Sequence, residues 1–163
     1  IHYAVSNGAK VINLSLGGEP DSGVDSELDE ALHFARQAGV FVVFASGNER
    51  QDLGSLKSGD PGFYAASRNL STITGAVDPA RQMYVDSNPA GDAPLDFVVA
   101  PGVNVTSTIP NNNYATYEGT SMATPHVAGV AALLLSVDPT LTPDQIEEIL
   151  TTSADRQGIT MSP

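Results

Sequence analysis

Two short apolar runs, Val11-Ile12-Asn13-Leu14-Ser15-Leu16 and Val40-Phe41-Val42-Val43-Phe44-Ala45, constrain the fold more than any other feature of this chain. A strand with one wet face alternates apolar and polar residues. These runs are too continuous for that and predict strands of a parallel sheet covered on both faces. Between them Leu28, Ala31, Leu32 and Ala35 recur at helical spacing, and Gly39 closes that helix. Strand, helix, strand implies a right-handed parallel crossover. Further strands are expected at Leu70 to Val77, Tyr84 to Asp86, Phe97 to Ala100, Val103 to Ile109 and Tyr114 to Tyr117. Thr142-Pro143-Asp144-Gln145 reads as a capping box with proline at the first helical position, opening a helix through about Thr152. Ile1 to Gly8 reads as the last turn of an amphipathic helix, capped by Asn7 or Gly8. The fold class is α/β, with three layers: helices on both faces of a mostly parallel sheet.

The chemistry concentrates in Gly119-Thr120-Ser121-Met122-Ala123-Thr124-Pro125-His126-Val127-Ala128-Gly129. Downstream, Val130 to Leu135 is apolar on every side, which predicts a helix enclosed by protein. Asn111-Asn112-Asn113 and Gly119-Thr120 are turn and cap chemistry, so Ser121 falls near the helix start. Unpaired backbone N–H groups converge there, and the helix dipole favours developing negative charge. That suits an acyl-transfer nucleophile. His126, inside the same helix, is expected to be packed and held by a local hydrogen bond. His33 on a surface-type helix and His2 at the start are expected to be structural or solvated.

This run resembles the active-serine segment of the subtilisin-like serine proteases, the subtilases. Lys10 to Gly18 resembles the family's substrate-pocket strand, and Phe41 to Glu49 its oxyanion-asparagine strand. Thr72 to Asp78 and Ala100 to Val105 follow in the family's order. The resemblance implies a serine endopeptidase in which Ser121 is the nucleophile. The Asn48 side-chain amide and the Ser121 backbone N–H would then hold the oxyanion. Read alone, Gly47-Asn48 is simply a turn. Ser15-Leu16-Gly17 would pair with an extended peptide or protein substrate along its backbone, although Gly17-Gly18 also fits a tight turn. Ala45-Ser46-Gly47 would wall the substrate pocket, with Gly62 at its floor and Thr120 beside the nucleophile. The stretch from Lys57 to Ala66 departs from the family pattern. No cofactor is implied, but some relatives bind structural calcium; Asp96, with carbonyls near Ala65 to Arg68, is the candidate ligand.

The family's general base and its orienting aspartate lie on motifs that this chain does not show. Asp21-Ser22-Gly23-Val24 matches the letters of the aspartate motif. It follows the pocket strand instead of preceding it, so it is read as a loop. The expectation is that residues 1–163 form the C-terminal part of one catalytic domain, with the N-terminal half missing and the chain alone inactive. The rival reading is a non-catalytic, subtilase-like peptide-binding or assembly module. Removing half a parallel sheet uncovers an edge and apolar faces, so a dimer or an intertwined assembly is expected.

Composition bounds the rest. A chain of 163 residues with 41% hydrophobic and 16% charged residues suits one globular domain. A net charge of −12 argues against nucleic acid and anionic membrane as partners. It is compatible with a secreted, extracellular enzyme. No apolar run approaches the roughly 20 residues that span a bilayer. Cysteine is absent, which excludes thiol catalysis and disulfides.

Overall fold

The computed structural model describes residues 1–17, 26–50, 60–92 and 94–160. Four parallel strands form the sheet in chain order: β1 (Val11–Leu14), β2 (Phe41–Ala45), β3 (Thr72–Val77) and β4 (Phe97–Pro101). Val11 lies opposite Phe41, Val43 opposite Thr72 and Ile73 opposite Phe97. Helices α1 (His2–Ser6), α2 (Ser26–Gln37) and α3 (Pro61–Ala66) precede β1, β2 and β3, respectively. Helices α4 (Thr120–Val137) and α5 (Pro143–Ser153) follow the sheet. An antiparallel pair, β5 (Val105–Ile109) and β6 (Asn113–Tyr117), comes between β4 and α4.

The side chains of β2 explain the layering. Phe41 and Val43 pack with Ala123, Val127 and Ala131 of α4 and with Ile146 and Leu150 of α5. Val42 and Phe44 pack with Leu32 and Ala35 of α2 and Ala65 of α3. Successive strand residues point to opposite faces, so an unbroken apolar run requires a helical layer on each side. All five β2 residues are buried, as the sequence demands. β1 is different: it lies at the sheet edge, and Asn13 is exposed.

Several local expectations hold. Thr142 caps α5 through the predicted capping box, with proline at the first turn. Asn7 is the C-cap of α1, and Gly39 leaves α2 with φ +72°. Others are corrected. Tyr84 to Asp86 is not a strand; only Met83 bridges to Val77, and the chain then turns. β3 starts at Thr72, because Leu70 N–H still bonds the Ala65 carbonyl at the end of α3. β5 starts at Val105, after Asn104 at φ +57°. Asn111 and Asn112 turn the β5–β6 hairpin with positive φ and do not cap α4. Helix α3 was absent from the sequence reading, although Asp60-Pro61 is a helix-start signal and Asp60 Oδ1 accepts from Gly62 N–H at 3.0 Å. The Asp21-Ser22-Gly23-Val24 loop lies outside the described residues.

The largest correction concerns α4. One face lies on the sheet, but Val130, Leu133 and Val137 are 46%, 67% and 87% exposed. The helix is not enclosed on every side. Its 18 residues are also long and apolar enough to cross a membrane by length and composition, which revises the expectation that no run comes near that size. Ala123, Val127 and Ala131, buried against β2, β3 and β4, identify it as a core helix with one bare apolar side.

An ion cluster joins the two helical layers. The Arg36 guanidinium of α2 forks onto Glu147 of α5 at 2.9 and 2.7 Å and also pairs with Asp144. Glu147 is almost fully buried. Burial raises its carboxyl above the usual range even against the hydrogen bonds and charge of Arg36.

Candidate active site

Ser15, Ser46 to Asn48 and Gly102 all follow the C-terminal ends of parallel strands, where open α/β sheets present ligand sites. The start of α4 is brought to the same edge. Gly119 N–H donates to the Gly102 carbonyl at 2.7 Å. A Cβ on Gly102 would fall 2.5 Å from Ala76 Cβ and 2.8 Å from the Gly119 carbonyl oxygen. Only glycine permits that approach.

Ser121 is the second residue of α4. Its backbone N–H is among the first-turn amides that have no acceptor within the helix. Four residues on, Pro125 lacks the N–H that would bond the Ser121 carbonyl. Ser15 Oγ fills that gap, donating to the Ser121 carbonyl at 2.9 Å. The Ser121 hydroxyl in turn lies 3.5 Å from the Ser15 carbonyl, a long contact that leaves it available. Thus the end of β1 and the start of α4 are stitched together at Ser121 itself.

Asn48 is fixed from the same helix turn. Its Oδ1 accepts from Thr120 N–H at 2.9 Å and from Thr120 Oγ at 3.2 Å. A backbone N–H is only a donor, so this end of the amide must be the oxygen. The Nδ2 end is left to donate. Gly47 N–H donates to Thr120 Oγ at 3.2 Å, closing a three-residue knot next to Ser121. Asn48 itself is exposed.

The remaining predicted residues divide by exposure. Leu16, 49% exposed, and Gly17 are open to a ligand. Ala45, Ser46, Gly47, Gly62 and Thr120 are buried and form the wall behind the site. Gly62 does lie against Ala45: a Cβ there would sit 3.2 Å from the Ala45 carbonyl oxygen. Beside Ser121 a cleft of about 530 Å³ opens between α4 and β5, lined by Val105, Ile109, Tyr117, Met122, Pro125 and His126.

None of the histidines hydrogen-bonds Ser121. His126 is exposed, not packed as expected, although the local hydrogen bond exists: Nδ1 lies 2.9 Å from the Met122 carbonyl. His33 lies 3.7 Å from Asp29, and His2 stacks on Phe34 with ring centroids 4.8 Å apart. Among the described residues, no three His, Asp or Glu side chains converge. The Asp96 carbonyl is occupied by Ile73 N–H, and its charge acts on Glu147, which Arg36 already holds.

Burial raises the carboxyl of Asp60, the α3 cap next to Gly62, to about 6; the bond from Gly62 opposes the shift and the charge of Glu49 adds to it. A raised carboxyl stabilises the fold below its unfolded value, near 3.8, and that stability is lost as pH rises through about 6. Asp60→Asn keeps the cap acceptor and removes the charge. It is therefore expected to gain about 1–2 kcal/mol on wild type between pH 4 and pH 8, after allowing for solvent screening. Urea unfolding at the two pH values checks this. An equal difference at both would count against it.

A serine at the start of a core helix, with a side-chain amide locked beside it at the end of a parallel sheet, is an arrangement of the kind that suits acyl transfer. The chain belongs to the subtilase family, whose model matches residues 1–162. It is 42% identical to subtilisin of Bacillus pumilus over 158 residues, 97% of this chain and 54% of that protein. Subtilisin E of Bacillus subtilis (strain 168) is 41% identical, with 97% and 39% covered. A crystal structure of a cold adapted subtilisin-like serine proteinase superposes with a TM-score of 0.81 at 32% identity, over 97% of this chain and 54% of that one. The prenylagaramide maturation protease PagA gives 0.77 at 28%, over 99% and 62%. The chain thus spans about half the length, or less, of these curated relatives.

Asn88, buried and bracing the loop that carries Asn48, does not stand out in the sequence. Its only signal was Asn88-Pro89, an ordinary turn pair.

Proposed function

We propose that this chain supplies the nucleophile and the oxyanion-binding group of a serine endopeptidase acting outside the cell on peptide or protein substrates. The observation that carries this reading is the bond from Thr120 N–H to Asn48 Oδ1, which sets a donor amide one residue from Ser121. Ser121 Oγ attacks the scissile carbonyl, its proton passing to a base. The carbonyl oxygen becomes an oxyanion held by Asn48 Nδ2 and the Ser121 N–H. Collapse expels the amine, which takes a proton from the protonated base, and leaves an acyl-enzyme for water to hydrolyse. Leu16 and Gly17 pair with the substrate backbone.

The base is assigned to another part of the protein, because none of the three histidines here hydrogen-bonds Ser121. The cleft beside Ser121 and the bare side of α4 are the surfaces that part would cover. Left uncovered, the same apolar side favours association of copies.

A serine-directed phosphonate tests the reading. The full-length protein is expected to label stoichiometrically at Ser121, and this chain alone to stay unlabelled and hydrolyse no peptide. Labelling of the isolated chain would overturn the division of roles; a full-length protein that resists labelling would overturn the peptidase reading.

A further inference from the structure

Asn48 is an exposed residue on a loop, yet an oxyanion donor works only if it is held in place before the reaction. Thr120 fixes its side chain. Nothing in that contact fixes the backbone that carries it. The residues on both sides of Asn48 are held by the 86–88 loop. Asn88 Nδ2 donates to the Ser46 carbonyl at 2.9 Å and to Glu49 Oε2 at 2.8 Å. Asn88 Oδ1 accepts from Glu49 N–H at 3.1 Å, and Asn88 N–H donates to the Gly47 carbonyl at 3.1 Å. Arg50 N–H donates to the Asp86 carbonyl at 3.1 Å. The brace is itself anchored: Ser87 Oγ accepts from Ala76 N–H of β3 at 3.0 Å.

Only a carboxamide can make this set of bonds, since it needs two donors and an acceptor on one short side chain. Asn88 is 2% exposed, so each unmade bond would leave a buried polar group. Gly47 adapts to it. With φ +90°, a Cβ on Gly47 would fall 2.6 Å from Asn88 Nδ2 and 2.5 Å from Glu49 Oε2. The backbone at Gly47 is shaped so that this one amide fits beneath Asn48.

We infer that Asn88 is the positioning residue for Asn48: it acts on catalysis through the loop backbone and touches no reacting atom. This rests on the proposed oxyanion role of Asn48. In the intact protease, Asn88→Ala is expected to lower kcat roughly 10- to 100-fold with KM within about twofold, as misplaced catalytic groups do. Asn48→Ala alone should lower kcat roughly 10²–10³-fold, and the double variant should match it within about twofold, because groups acting as one unit are non-additive. Losses that multiply, or a loss confined to KM, would overturn the positioning role. An unchanged kcat in Asn48→Ala would instead reject the oxyanion reading beneath it.

A second pair guards against a variant that fails to fold. Asn88→Asp keeps the acceptor for Glu49 N–H but turns a carboxylate toward Glu49. Adding Glu49→Gln restores a donor across that contact, though not to the Ser46 carbonyl, and is expected to return part of the lost kcat. No recovery would count against the inference.

Discussion

On the proposed oxyanion role, replacing Asn48 with alanine in the intact protein is expected to lower kcat roughly 10²–10³-fold and leave substrate affinity nearly unchanged; the magnitude is carried over from subtilisin, where an oxyanion-hole asparagine was removed. The direction follows from the geometry. Asn48 Oδ1 is bound by Thr120, which leaves Nδ2 as the end that would meet charge as it develops. An interaction present only in the transition state alters kcat and leaves ground-state binding alone. Steady-state kinetics separate the two. A collapse of affinity with turnover intact would assign Asn48 to substrate binding instead. Asn48→Asp is the sharper companion, because a carboxylate there cannot donate and would repel the oxyanion.

Arg36→Ala is expected to cost about 3–5 kcal/mol of stability, the usual penalty for stranding one member of a buried ion pair. Glu147 is about 5% exposed and receives both arms of the guanidinium, so its charge would be left without compensation. Its carboxyl already lies above the usual range because of burial. Losing Arg36 pushes it higher, and protonation relieves the stranded charge. The penalty is therefore largest at neutral pH and shrinks as pH falls toward 4. Replacing the pair together, Arg36→Met with Glu147→Leu, is expected to be far milder, since apolar packing substitutes for the cluster. Denaturant unfolding of the single and double variants decides it: equal losses in both would mean that the arginine matters for packing and not for charge.

Much of the fold was legible because its signals are local. The unbroken run from Val40 to Ala45 required two covering layers, and Val42 and Phe44 do face the opposite way from Phe41 and Val43. Thr142 and Gln145 form their capping box within four residues, so no tertiary information was needed. Tyr84 to Asp86 failed for the converse reason. Tyr84 and Val85 have strand propensity, but Tyr84 N–H bonds the Ala76 carbonyl and the chain turns at Val85-Asp86, placing Asn88 to brace the Asn48 loop. Propensity yields where a distant partner claims the backbone.

Sequence alone determined the parallel sheet and the need for helical layers on both of its faces. Each depends on residues close enough in the chain to share one element. The tertiary structure decided the rest. It showed that Pro125 frees a carbonyl for Ser15 to take, that Thr120 orients the Asn48 amide and that Asn88 grips the loop from below. It also left one side of α4 bare where the apolar run had implied enclosure. Those outcomes depend on which groups meet across 39 to 106 residues of chain, and a donor's partner at that range is fixed by packing, not by neighbours in sequence.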